Sequence, residues 1–294
     1  MSYIYIIYIS GMTRFATTFI LLMFTIVAKS QDVIYDKSDS MMIEQILHEE
    51  LAKEHRDTGE LILDIAGRFI GCDYVAGTLE NGTDEPLYVS TTRLDCSTFV
   101  ELVTAIATSV KNGEESFAAF CRNLEAIRYR GGERNGYDSR LHYTSWWIAD
   151  NAAKGIISEI TEECTHRLRT LELDFMSTHP DSYPMLKGNT AMQRRIEELE
   201  KPFRGTASSY IPKQVLGSSK EICSIKDGDI IALVTTVKGL DIAHVGFAYW
   251  KDGNLHLLHA SSGKGKVIKD SITLYNYQKE KKSQIGIKVM RVNL

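Results

Sequence analysis

The stretch DIAHVGFAYWKDGNLHLLHASS (241–262) leaves the chain few ways to fold. Two runs of apolar, β-branched and aromatic residues flank Asp252–Gly253, a dipeptide suited to a two-residue hairpin turn. Such a turn fixes the pairing: Tyr249 opposite His256, Gly246 opposite His259 and His244 opposite Ser261. Directly opposed residues share a face, as do residues two apart along a strand. The register therefore predicts His244 and His259 as diagonal neighbours, with His256 on the other face. Gly246 leaves room for the His259 imidazole. A three-residue turn would reverse the assignment. Segments 228–236 and 285–292 read as further strands.

A second constraint is LDCSTFVE (94–101). Phe99, Leu102, Val103, Ile106 and Val110 recur at helical spacing until KNGE at 111–114 interrupts them. Asp95 is a suitable N-cap, which places Cys96 at the first helical position. Free backbone N–H groups and the positive dipole end favour a thiolate there and offer donors to a developing oxyanion. A lone cysteine at a helix start is more often structural than catalytic; it needs a base, and the histidine pair supplies a candidate.

The 294 residues allow one large domain or two small ones, and 44% hydrophobic with 24% charged residues is ordinary for a globular chain. A net charge of −4 argues against nucleic-acid binding. Arg14, the apolar run FATTFILLMFTIVA and the small residues Ala28 and Ser30 read as a signal peptide over 1–30, with Met12 a possible true start. The expectation is an exported, periplasmic protein with no membrane span after cleavage. The five cysteines, Cys72, Cys96, Cys121, Cys164 and Cys223, are odd in number and irregularly spaced, so most read as small buried hydrophobes. No metal-ligand spacing is present, and neither metal nor cofactor is expected.

The order LDCSTFVE, GDIIAL, HVGFA, LHASS resembles the NlpC-type cysteine amidases and peptidases, papain-like enzymes that cut bacterial cell-wall peptides. With YVAGTLE (74–80), SRLHYTSWW (139–147) and GLDIAHVGF (239–247), it is most similar to the N-acetylmuramoyl-L-alanine amidase-like branch. The resemblance implies an α+β, papain-like fold with an antiparallel sheet packed on the cysteine helix, and one catalytic domain over 31–294. It implies Cys96 as nucleophile, His244 as base and His259 as the residue orienting the base. Tyr74 matches a tyrosine near the thiol that assists the oxyanion, and Asp95, Ser139 and Asp241 lie in matching segments on the substrate side. The implied reaction is hydrolysis of the amide between muramic acid and L-alanine, with anhydromuramoyl peptides as substrates and a monomeric enzyme.

The 148 positions between Cys96 and His244 exceed the spacing of compact members, so 115–220 is expected to be a helical insertion. Its segment 128–151 gathers arginines, tyrosines and tryptophans suited to a sugar ring and a carboxylate. Arg140, Trp146 and Trp147 are candidates there, with one tryptophan expected in the core, and SSYIPK adds Tyr210 and Lys213. MQRRIEELEK (192–201) reads as a charged helix face. Two other readings remain: an endopeptidase cutting between D-glutamate and the diamino acid, and a silent muropeptide-binding protein.

Overall fold

A computed structural model describes residues 33–80 and 84–294; the expected signal segment lies outside the described residues. Eight α-helices are present among them. They are α1 (Lys37–Leu51), α2 (Thr58–Gly67), α3 (Cys96–Lys111), α4 (Phe117–Arg128), α5 (Thr144–Ala153), α6 (Phe175–Thr178), α7 (Thr190–Glu200) and α8 (Leu274–Lys279). The short strands are β1 (Val33–Ile34), β2 (Asp73–Tyr74), β3 (Leu87–Tyr88), β4 (Arg93–Leu94), β5 (Ile157–Glu159), β6 (Arg167–Leu171) and β7 (Thr206–Pro212). The central strands are β8 (Ile230–Thr235), β9 (Ile242–Lys251), β10 (Asn254–Ser261), β11 (Lys266–Lys269) and β12 (Gln284–Val292). One mixed sheet runs β4-β2-β11-β10-β9-β8-β12-β7-β6, with β5 also on β12, while β1 pairs with β3.

Asp252 and Gly253 both take positive φ, 50° and 71°, as a two-residue turn between right-twisted strands requires. Tyr249 consequently pairs with His256, and the ladder runs on to Phe247–Leu258. Strand β8 reads IIALVT and is buried at every position, because apolar clusters cover both faces of the sheet. On one face, Phe247 meets Phe99 of α3 edge-on, with ring centroids 5.6 Å apart. Burying a phenylalanine of this kind contributes about 2–3 kcal/mol. Helix α3 starts on a capping box, in which Asp95 accepts the Thr98 N–H and the Thr98 hydroxyl oxygen accepts the Asp95 N–H. It stops at Asn112, after which Gly113 adopts a φ of 70°.

The 115–220 segment departs from the helical expectation. It supplies α4, α5 and α7, but also β5, β6 and β7, which extend the central sheet across β12. The alternating RLRTL of β6 needs a partner strand, and β7 provides it. Nor is α7 merely a charged face. Its Glu200 is fully buried, accepting hydrogen bonds from the Tyr143 hydroxyl (2.8 Å) and Arg204 (2.9 Å).

Candidate active site

The sulfur end of the site is set by α3. Cys96 is half-buried, and the backbone N–H groups of Val245 and Ser97 point at its sulfur. Val245 lies beyond the last paired residues of the β9–β10 ladder, so β10 does not claim its amide. Burial, with Asp95 adding to it, pushes the thiol up to about 11. Desolvation thus opposes, and here outweighs, the amides of the helix start that favour a thiolate.

The histidine end comes from the hairpin. His244 Nε2 lies 2.6 Å from His259 Nδ1, with the rings edge to face. A Cβ on Gly246 would sit 2.7 Å from the His259 Cβ, so the glycine is required by the close approach. Both histidines are buried, and burial pulls both below the ordinary range, His244 to about 3. Lys281 lowers both further, whereas Asp270 raises His259. His256 lies apart, stacked on Tyr249.

Helix α8 roofs the pair, a feature the sequence reading missed. The Tyr277 ring stands edge-on to His259 at 5.7 Å, and the Lys281 ammonium sits over Tyr277 at 3.3 Å. Lys213 donates to the Lys281 carbonyl at 3.0 Å, which makes it a strut for this roof. Asp270 Oδ2 lies 3.5 Å from His259 Nε2. The tyrosines of LYNYQKEKK were the one available signal in the sequence.

Two cavities open beside Ser97. One of about 220 Å³ is lined by Glu80, Asp95, Arg140, His142, Tyr143 and Tyr183 among others. The other, of about 40 Å³, is walled by Val100, Leu141, Trp147, Ile230, Val245 and Met290 together with polar groups including His142. His142 was not singled out from sequence. Its Nε2–H donates to the Tyr137 carbonyl at 2.8 Å, and burial holds the ring well below its usual range.

The other candidate positions divide. Tyr74 feels the charges of Cys96 and Asp95, and burial lifts its phenol to about 12, so it remains a donor. Arg140 lines the larger cavity, but its guanidinium is already held by Glu80 at 2.5 Å, Glu85 at 3.3 Å and the Leu79 carbonyl at 3.1 Å. The chain's own carboxylates thus occupy the group expected to meet one from a ligand. Trp146 is fully buried beneath Arg130, while Trp147 reaches the small cavity. Asp241 caps α5 by accepting the Ser145 N–H at 2.6 Å, and Ser139 closes a turn on the Gly136 carbonyl at 2.6 Å. Tyr210 packs over Gly286 and lines neither cavity.

Among the described residues, Cys121 and Cys164 are buried, Cys223 is exposed, and all five thiols are free. Glu50, His55 and Asp64 gather ligand-type atoms within 4.8 Å, but Lys53 (2.8 Å) and Arg68 (3.0 Å) already hold Glu50. No helix among the described residues is long and apolar enough to cross a membrane.

Residues 64–287 match the model of the AmiA-like family, described as N-acetylmuramoyl-L-alanine amidase-like. The chain belongs to that family. It is similar to the crystal structure of an N-acetylmuramoyl-L-alanine amidase from Bacteroides uniformis, with a TM-score of 0.77 and 35% identity over 81% of this chain and 99% of that one. A candidate xylanase from Bacteroides fragilis aligns with a TM-score of 0.74 and 40% identity, over 78% of this chain and 100% of that one. A Legionella pneumophila protein shares the fold at 24% identity and a TM-score of 0.66, over 87% and 95% of the two chains. No curated protein matches the sequence. Membership of this amidase-like family points to hydrolase chemistry on a peptidoglycan-related substrate.

Proposed function

We propose that this protein is a papain-like, NlpC-type cysteine amidase that hydrolyses the bond between (anhydro)N-acetylmuramic acid and L-alanine in peptidoglycan fragments. The observation that carries this reading is a helix-start thiol whose sulfur accepts the Val245 N–H, one residue along from a buried His244–His259 pair spaced 2.6 Å apart. His244 takes the thiol proton as sulfur attacks the lactyl carbonyl. The oxyanion meets the Cys96 N–H at the helix start and the Tyr74 hydroxyl. The alanine amine leaves with the proton from His244, and water then cleaves the thioester, restoring the thiol. The larger cavity is the proposed seat of the sugar. The apolar segment before residue 31, outside the described residues, fits export to the periplasm and a turnover or recycling role.

Glycosidic chemistry, which the name of the Bacteroides fragilis neighbour suggests, ordinarily needs two available carboxyl groups across the bond. Here Asp95 caps α3, Glu101 is paired with Arg128, and Glu80 with Arg140. The amide reading does not depend on them.

The deciding experiment is mass spectrometry of products from an anhydromuramoyl tetrapeptide and from the free tetrapeptide. Release of intact peptide from the first, with the second left whole because it lacks the lactyl–alanine bond, is the expected result. Efficient cleavage of the free peptide after D-glutamate would establish the endopeptidase reading instead.

The pH profile offers a separate check. A base must be neutral to act, and an imidazole with an ordinary value near 6.5 would be only about 3% neutral at pH 5. Because burial holds His244 down to about 3, kcat/KM should keep most of its plateau at pH 5. An acid limb centred near 6.5 would show that the histidine is more hydrated in solution.

A further inference from the structure

We propose that Asp270 is a positioning residue whose carboxylate takes the Nε2–H of His259, fixing the tautomers of both imidazoles and leaving Nδ1 of His244 as the base. The inference rests on the reading of Cys96 and His244 given above.

It starts from proton bookkeeping at a buried pair. With His244 Nε2 and His259 Nδ1 2.6 Å apart and both rings neutral, one nitrogen carries the shared proton and the other accepts it. Two arrangements satisfy this contact. In the first, His259 Nδ1 donates; His244 must then hold its own proton on Nδ1 and has no lone pair for a thiol. In that arrangement the bare Nε2 of His259 also faces a carboxylate, lone pair against negative charge. In the second, His259 is protonated at Nε2, its Nδ1 accepts from His244 Nε2, and His244 Nδ1 is free to accept a proton.

Asp270 selects the second. His259 is fully buried, its Nε2 makes no hydrogen bond of ordinary length, and Asp270 Oδ2 stands 3.5 Å away. A buried ring nitrogen facing a carboxylate is favoured as the donor. Catalytic hydrogen bonds at rest are commonly longer than in the transition state. The aspartate is itself anchored, since its Oδ1 accepts the Ile272 N–H at 3.2 Å. Its backbone carbonyl accepts the Tyr249 hydroxyl and the His256 Nδ1–H, the latter at 3.2 Å. His256, on the opposite face from the pair, thereby has a place in the same chain of contacts.

Other charges bear on the pair from the elements around it. Lys281 and Tyr277 face it from the α8 side, while Cys96, Asp95 and Tyr74 lie on the sulfur side. Lys269 rests over Tyr249 at 5.0 Å. Asp270 is the member of this group that an imidazolium attracts directly through His259, and Lys281 opposes it.

The test uses the full chain labelled with ¹⁵N-histidine. Long-range proton–nitrogen spectra of the wild type should show His244 and His259 both protonated at Nε2. Asp270→Asn keeps the bond to Ile272 and can turn an N–H toward His259, reversing the preference. It should lower kcat by roughly 10²–10⁴ with KM within about threefold, as expected for a wrong tautomer. Alkylation of Cys96 by iodoacetamide, followed on its peptide, should slow at least about tenfold. Asp270→Glu should recover part of the loss. A wild-type His259 protonated at Nδ1, or an Asp270→Asn protein with wild-type kcat and tautomers, overturns the proposal alone. If His244→Ala leaves Cys96 alkylation unchanged, the base assignment falls and takes the proposal with it.

Discussion

Cys96→Ala should abolish amide hydrolysis, by roughly 10⁴-fold or more, while the protein unfolds within a few degrees of the wild type. The reason for the contrast is local. The sulfur is the proposed reacting atom, so nothing else at the helix start can form the thioester. The fold, however, depends there on Asp95 and Thr98, whose reciprocal hydrogen bonds at 2.8 and 2.9 Å do not involve the cysteine side chain. Alanine is also the best helix former and costs the first turn nothing. Product formation by liquid chromatography and a thermal melt measure the two halves. Hydrolysis persisting in a clean Cys96→Ala preparation would falsify the cysteine mechanism. Activity lost with EDTA and restored by zinc would do the same from another direction.

The second large effect concerns stability. Arg128 is 2% exposed, and it donates to Glu101 at 2.7 Å and to the Tyr88 carbonyl at 2.8 Å. Arg128→Ala should lower unfolding stability by about 3–5 kcal/mol, because it strands the buried Glu101 carboxylate. Burial already raises Glu101, so the variant's deficit should shrink as the pH falls and the folded state takes up the proton. Replacing both partners, as Glu101→Leu with Arg128→Met, should recover most of the loss. Urea titrations at pH 7.5 and 5 report all three quantities. A deficit below about 1 kcal/mol would mean that Arg140, whose charge also reaches Glu101, takes over. Glu101 borders both cavities one turn beyond Ser97, so this pair also sets where the helix start stands relative to them.

The hairpin was legible in the sequence because its information is local. Asp252–Gly253 fixes the turn, the turn fixes the register, and the register placed His244 beside His259. Helix α3 was legible for the same reason, through its cap and apolar spacing. What escaped depends on tertiary placement. Asp270 and Tyr277 meet the pair only because β11 and α8 fold back over it, and nothing in LYNYQKEKK states which face its tyrosines will find. The ion pairs that hold Arg140 were not legible because its partners, Glu80 and Glu85, lie at least 55 positions earlier in the chain. The upward push on the Cys96 thiol was hidden likewise, since a helix start shows its dipole in sequence but not its burial.

The site's scatter along the chain has a consequence for the cell that makes it. Helix α3 is synthesised well before any of His244, His259 or Asp270 has left the ribosome. Contacts so far apart in sequence close late, after local elements have formed. Until β9, β10 and α8 dock, Cys96 lacks the histidine pair proposed to serve it as base. On the proposed mechanism a stalled or truncated chain therefore cannot hydrolyse an amide, and activity waits for completed folding.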